Sequence, residues 1–357
     1  MTLIKNAIKF ISYFTYLTIS VAFLIEIVFR ILPTTSPLDL QPISSEDDIL
    51  RFSANEITTF SLGAYFYKTV TKKTNNYGFY TNYDFHKNSN PDVAIIGDSY
   101  VEATQIKNED TLGEVLKAKH PNLSIYQLGV SGVPISQYIQ MVRYAKREFS
   151  PKHYVIVLVG NDFDESLCNI RIKEGTWCFD DKYNLTFNRF DGYQGLRALA
   201  RKSATLRYIV FHLGLNWRAV AAGLGLKDPG LSAVKEYAGN VDRYKSDQIT
   251  RASFTVIDHF FKELVKMGIE NKVTIVLDAD RADIYNDTNT KSYFKNMRSY
   301  TMQIANLNQI TTIDMDPIFR DDYSRYNKKF EFPTDGHWNE HAHRLVSNAL
   351  IENIKYK

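Results

Sequence analysis

The stretch PDVAIIGDSYVEA, residues 91–103, reads as a short apolar strand, Asp92–Gly97, that stops abruptly on Gly97-Asp98-Ser99. A nearly continuous apolar run of this length suits a strand covered on both faces, as in a parallel sheet sandwiched by helices. Working outward, the same rhythm repeats. Thr111–His120 has helical periodicity, Leu123–Leu128 is a second strand, Ile135–Phe149 a helix and Tyr154–Val159 a third strand. Further on come a helix at Thr250–Met267, strand Val273–Leu277, helix Lys291–Leu307, strand Ile310–Ile313 and a last helix at Glu340–Ile354. Five strands alternating with helices predict a three-layer α/β domain. Residues 163–248 break the rhythm, are rich in Arg, Tyr and Gly, and read as an insertion carrying lid or substrate-binding elements.

Open α/β sheets bind ligands beyond the carboxyl ends of their strands, so the residues at those ends carry the functional reading. The first strand ends in Gly97-Asp98-Ser99, the second leads into Gly129-Val130-Ser131-Gly132, and the third ends in Gly160-Asn161-Asp162. Just before the last helix stands Asp335-Gly336-His337-Trp338-Asn339. One sheet edge is thus supplied with a hydroxyl, a glycine for close approach, an amide and an acid–imidazole pair. Acyl transfer needs those parts. A serine hydroxyl is a weak nucleophile until an imidazole takes its proton. The imidazole needs a carboxylate to fix its tautomer, and the tetrahedral oxyanion needs preorganised donors. Each loop alone is an ordinary turn signal; four in order at successive strand ends point to a site.

The segments AIIGDSYVEA, LGVSGVP, LVGNDF and TDGHWN resemble, in the right order, the signature blocks of the SGNH (GDSL-like) hydrolase superfamily, over roughly residues 92–350. The segment KTNNYGFYTN ahead of the first strand resembles a preface of some exported bacterial members. The resemblance implies a flavodoxin-like α/β/α fold with five parallel strands in the order 2-1-3-4-5. It implies Ser99 as nucleophile, His337 as base, and the backbone N–H groups of Ser99 and Gly132 with the Asn161 amide as the oxyanion hole. Two positions depart from the pattern. Ala103 stands where a second glycine is usual. The usual acid position, three before the histidine, is Thr334, and the nearest carboxylate is Asp335, two before it. Alginate O-acetyltransferases resemble this chain in their Asp-x-His-Trp arrangement. Asp335 is therefore the expected acid, and transfer to a polysaccharide stands beside hydrolysis as an alternative.

The first 32 residues differ from the rest. Phe10–Leu32 is almost wholly apolar, interrupted by small hydroxyls, Tyr, Glu26 and Arg30, and Lys5 and Lys9 precede it. That length suffices to span a bilayer, and the flanking lysines place the N-terminus in the cytoplasm and the remainder outside. A cleaved signal peptide is the competing reading, against which stand the length of the run and the lack of a small-x-small site. Expected divisions are an anchor at 1–32, a linker and small extension at 33–90 with a few short strands, and a hydrolase-like domain at 91–357. Cys168 and Cys178 are the two cysteines, and an oxidising compartment permits a disulfide between them, the alternative being two free thiols.

With 43 basic and 40 acidic residues, the charge balance gives no reason to expect nucleic acid. His337, His341 and His343 form H-x3-H-x-H, but no third metal ligand is evident, and neither metal nor cofactor is expected. The expected function is a serine esterase acting on acyl, chiefly O-acetyl, esters of an envelope glycan. The alternatives are an extracytoplasmic O-acyltransferase, dependent on a multispanning acyl-donor partner, and a catalytically silent glycan-binding module.

Overall fold

The architecture is that of a computed structural model, described for residues 2–37, 39–41, 43, 49–190, 192, 194–213 and 244–354. It divides into two compact units, one of residues 1–38, 58–71 and 193–231, the other of residues 39–57, 72–192 and 232–357. These units cut across the boundaries expected at 33–90 and 163–248. Residues 214–243 of the insertion, with 38, 42 and 44–48 of the linker, lie outside the described residues.

The larger unit is built on five parallel strands, β3 (Val93–Gly97), β4 (Ile125–Gly129), β5 (His153–Leu158), β8 (Val273–Leu277) and β9 (Thr311–Asp314), in the spatial order β4-β3-β5-β8-β9. In chain order this is 2-1-3-4-5, the flavodoxin-like arrangement. Every residue of β3, β4 and β8 is buried, which their mostly apolar runs, broken only by Gln127 and Thr274, anticipate. The helices between them include α2 (Ser99–Glu102), α3 (Leu112–Lys119), α4 (Ile135–Glu148), α7 (Asp247–Lys266), α8 (Arg281–Tyr285), α9 (Tyr293–Leu307), α10 (Met315–Tyr326) and α11 (Glu340–Asn353). On one side of the sheet, Val93, Ile95, Val155, Val157 and Val276 pack with Leu112, Leu116, Trp338, Val346 and Leu350. Each fully buried aliphatic or aromatic side chain of this kind contributes roughly 1.5–3 kcal/mol.

The chain passes from β3 to β4 on one side and returns to β5 on the other, so β3 lies at the topological switch point where such sheets open a crevice. Ser99 is the first residue of the short helix that follows it. Two features here escape sequence periodicity. Helix α10 follows β9 directly, its N-terminus capped by Asp314, whose side chain accepts from Asp316 N. The stretch read as a loop before the last helix is a hairpin, β10 (Glu331–Phe332) paired antiparallel with β11 (Asp335–Trp338). Its two and four residues are too short to show alternation against the surrounding turn signals.

The first part of the insertion belongs to this unit. Strands β6 (Trp177–Phe179) and β7 (Leu185–Phe187) pair antiparallel, and a disulfide joins Cys168 to Cys178 with the Cα atoms 5.1 Å apart.

The smaller unit contains α1 (Thr2–Ile31), most of the two-stranded sheet of β1 (Ile57–Leu62) and β2 (Lys68–Lys73), and the short helices α5 (Gly195–Lys202) and α6 (Ala204–Arg207). Within α1, residues 4–31 form a helix long and apolar enough to cross a membrane, with mean hydropathy 1.8. Glu26 and Arg30 pair one turn apart at 2.9 Å. The Glu26 carboxylate also accepts from Ser203 Oγ at 2.8 Å, Ala204 N at 2.9 Å and Thr205 N at 3.0 Å, so it sits at the N-terminus of α6. An apolar helix tolerates such a carboxylate because its lone pairs are filled by donors. In the stretch expected as a linker, Thr34 and Thr35 are buried, and the Thr35 N–H donates to His212 Nε2 at 3.2 Å.

Candidate active site

Ser99 opens α2, whose N-cap is Asp98: one carboxylate oxygen accepts from Tyr100 N at 2.9 Å, the other from Ser99 Oγ at 3.2 Å. Close packing carries the turn. A Cβ on Gly129 would lie 2.2 Å from Glu102 N, so only glycine lets the end of β4 run beneath α2. Ala103, at the position where glycine is usual, has φ +52° and ψ +54°, the left-handed conformation that disfavours a side chain. The buried Lys72 ammonium holds that corner, donating to Ala103 O at 2.7 Å and Glu102 O at 3.2 Å. The departure from glycine is thus accompanied by a buried amine donor capping the turn's carbonyls.

The structure brings Ser99, His337 and Asp335 together. His337 Nε2 lies 2.7 Å from Ser99 Oγ, and His337 Nδ1 hydrogen-bonds Asp335 Oδ1. The same Oδ1 accepts from the His337 backbone N–H at 2.9 Å, while Oδ2 accepts from Gln105 Nε2 at 3.4 Å. Thr334, in the family's usual acid position, is exposed. Burial by itself would depress the His337 pKa. The hydrogen bond to Asp335, the Asp335 charge and the Asp98 charge outweigh it and raise the imidazole above its ordinary value. Burial would likewise raise Asp335, but the bonds and charge of His337 hold it below the usual carboxylate range. Both shifts favour an imidazolium–carboxylate pair. Burial pushes Asp98 up to about 6, against the bond from Tyr100 N and the nearby His337.

Sequence reasoning missed the groups that hold this pair. Arg281 is completely buried, and its Nη2 donates to Gly336 O at 2.8 Å and to Tyr100 Oη at 2.7 Å. Tyr100 Oη donates to the same Gly336 carbonyl at 2.9 Å. Asp278 at 3.3 Å and Glu331 at 2.9 Å supply the guanidinium with counter-charge. Trp338, 1% exposed, donates from Nε1 to Asp278 Oδ1 at 2.9 Å. A signal existed in the DAD-R run after β8, at the same sheet edge, but such a run alone is an ordinary strand-to-helix turn. His341 and His343 are engaged elsewhere: His341 with Asp322 at 2.6 Å, and His343 Nδ1 with the Leu112 N–H at 3.2 Å.

Gly132 and Asn161 lie in the loops after the strands flanking β3. Gly132 has φ +66°, a conformation suited to glycine. Asn161 Nδ2 donates to Glu165 Oε2 at 3.2 Å. Burial drives the carboxyl of Asp162 well upward; it accepts from Tyr138 Oη at 2.9 Å and from Val159 N at 2.7 Å, bracing its own turn.

Beyond the first strand of the five-stranded α/β/α sheet a serine, an imidazole and a carboxylate are in contact, the arrangement that serine hydrolases use. Residues 93–184 match the family model described as GDSL-like Lipase/Acylhydrolase. Among solved structures, the chain is similar to a lipolytic G-D-S-L family protein from Veillonella parvula, with 11% identity, TM-score 0.38, and 73% of this chain and 97% of that one covered. It is similar also to the acetyl xylan esterase AlAXEase, with 14% identity, TM-score 0.39, and 74% and 99% covered. A third is LAE5, an alpha/beta hydrolase from the metagenome of Lake Arreo, with 13% identity, TM-score 0.40, and 75% and 95% covered. The sequence matches no curated protein.

Proposed function

We propose that this chain is a membrane-tethered serine esterase that removes short acyl groups, chiefly O-acetyl, from an envelope glycan. The contact that carries the reading is His337 Nε2 at 2.7 Å from Ser99 Oγ with its other ring nitrogen on Asp335. Ser99 Oγ attacks the ester carbonyl as its proton passes to His337 Nε2. The backbone N–H groups of Ser99 and Gly132 and the Asn161 amide receive the oxyanion. Collapse expels the alcohol, which takes the proton from His337, and leaves an acyl-Ser99. Water, deprotonated by His337, then releases the acid and regenerates the serine.

Polarity around the hole supports a short acyl group on a polar carrier. Arg171 and Lys173 stand over Gly132, and Glu165 bonds Asn161, which is a poor surface for a long lipid chain. Helix α1 supports the location: spanning a bilayer with Lys5 and Lys9 inside, it would tether the rest of the chain outside the cytoplasm among envelope polymers.

The test uses the full chain in detergent micelles. Turnover of p-nitrophenyl acetate, its loss in Ser99→Ala and a fluorophosphonate adduct located on Ser99 by mass spectrometry are expected. A wild-type protein that neither hydrolyses activated esters nor takes the adduct refutes the enzyme reading. Acetyl groups appearing on added oligosaccharide, rather than in water, would convert the esterase to a transferase.

A further inference from the structure

Within the larger unit, the eleven-residue stretch from Cys168 to Cys178 carries two cations to the oxyanion-hole loops. From the position a Cβ on Gly132 would take, Arg171 Nη2 is 3.0 Å away and Lys173 Nζ 3.2 Å. The Lys173 ammonium donates to Ser131 O at 2.5 Å, and Arg171 Nη1 pairs with Glu165, the carboxylate that also accepts from Asn161 Nδ2. One cation therefore touches the loop after β4, and the other is joined through Glu165 to the loop after β5. We propose that Arg171 and Lys173 form an anion-binding subsite beside the scissile ester, so that the preferred substrate carries a carboxylate or phosphate close to its acylated hydroxyl.

Three observations carry this. The cations are held in place. The disulfide closes their loop, Cys168 N donates to Phe179 O at 2.9 Å, and Trp177 N donates to Gln137 Oε1 at 3.0 Å. Long basic side chains on a pinned loop lose less freedom on binding than they would on a mobile one. Their charges are also incompletely matched. Glu165 pairs with Arg171, while Glu102, which also acts on Lys173, is so buried that its pKa rises to about 7. Burial, and then the charge of Arg171, depress Lys173 to about 8, against the nearby carboxylates of Glu102, Glu165 and Asp98. Finally, Arg171 is reachable, its side chain 38% exposed, with Lys173 half-buried beside it. A guanidinium beside an ammonium suits an oxyanion, the first by paired planar donors and the second as a point charge.

The inference rests on the esterase reading only for its statement about substrate, and the experiment separates the two. Full-length protein is given three matched acetyl esters: of a methyl glucoside, of the corresponding methyl glucuronoside, and of the methyl glucoside 6-phosphate. At low salt, kcat/KM for at least one charged ester should exceed that for the neutral ester at least tenfold, chiefly through KM, and the favoured arm identifies carboxylate or phosphate as the source. The charged-to-neutral ratio within each variant cancels a general loss of activity. It should fall toward one in Arg171→Gln and in Lys173→Met, persist in Lys173→Arg, and shrink as salt rises. A ratio near one in the wild type overturns the proposal. So does an unchanged ratio in both variants, or an equal fall on neutral and charged esters, which would make the pair a plain oxyanion aid. Calorimetric titration of Ser99→Ala with the deacetylated glucoside, glucuronoside and 6-phosphate reads the subsite without turnover. Tighter binding of an anion with no p-nitrophenyl acetate hydrolysis in the wild type would uphold the subsite and sink the esterase; equal binding of all three would refute the subsite.

Discussion

Replacing Asp335 by asparagine tests the assignment of the acid most sharply, because the structure predicts both a size and an order of effects. Both bonds from His337, ring and backbone, end on Oδ1, while Oδ2 faces Gln105 Nε2. In Asp335→Asn the new side chain can therefore keep its oxygen toward His337 and turn its amide nitrogen toward Gln105. Gln105 Oε1 is buried without a hydrogen-bond partner and can rotate to accept that nitrogen. The imidazole tautomer survives, and what is lost is the negative charge beside the imidazolium. A charge at about 4 Å in an effective dielectric of about 20 is worth about 4 kcal/mol. At about 1.4 kcal/mol per decade that is roughly a thousandfold in kcat. Asp335→Ala removes the acceptor as well, frees the tautomer, and should cost about ten-thousandfold or more. Thr334→Ala should stay close to wild type. The assay is steady-state hydrolysis of p-nitrophenyl acetate. An Asn variant within tenfold of wild type, an Ala variant better than the Asn variant, or a Thr334→Ala loss matching either would refute the reasoning.

Three further outcomes are expected. Because Asp335 and Asp98 outweigh burial and raise His337, the acid limb of kcat/KM, where the base becomes protonated and activity falls, should have its midpoint above 6.5, and in Asp335→Asn that midpoint should move to lower pH. Arg281→Met removes the buried guanidinium that holds Gly336 O and leaves Asp278 and Glu331 with uncompensated charge. It should cost about 3–5 kcal/mol of stability in urea and, where still folded, lower kcat more than it raises KM. Replacing Cys168 and Cys178 by serine together opens a short loop and should lower stability by about 2–3 kcal/mol, read as a shift in urea midpoint.

Much of the α/β framework is legible in the sequence because most of its strands are predominantly apolar. Val273–Leu277 falls where expected, and β3, β4, β5 and β9 lie within two residues of the runs that announce them. Ser99, His337, Gly132 and Asn161 stand out because they follow those strands at one sheet edge. What stays hidden depends on partners distant in sequence. Arg281 resembles any basic residue opening a short helix until Tyr100, Gly336 and Glu331 converge on it. Arg171 and Lys173 acquire meaning only once the disulfide loop sets them over Gly132. The grouping of α5 and α6 with the N-terminal helix is equally illegible, since Glu26 capping α6 joins residues 177 and more apart.

The two-residue spacing of Asp335 and His337 follows from the hairpin. In an extended strand, residues i and i+2 point to the same face, and residues i and i+3 to opposite ones. On β11, Asp335 and His337 therefore share the face that meets Ser99, and a carboxylate at 334 would start from the other face. The alternation also fixes their neighbours. Trp338 turns inward, is 1% exposed and anchors through Asp278, while the Gly336 carbonyl is gripped by Arg281 and Tyr100. Tyr100 is the residue after Ser99, so the clamp on the base's strand begins one residue from the proposed nucleophile. Asp335 is held from the same strand by the His337 backbone N–H at 2.9 Å, with Gln105 Nε2 at 3.4 Å on its other oxygen. The proposed acid and base, Asp335 and His337, sit on one short strand whose main chain is tied to the turn of Ser99, and a displacement of either moves both.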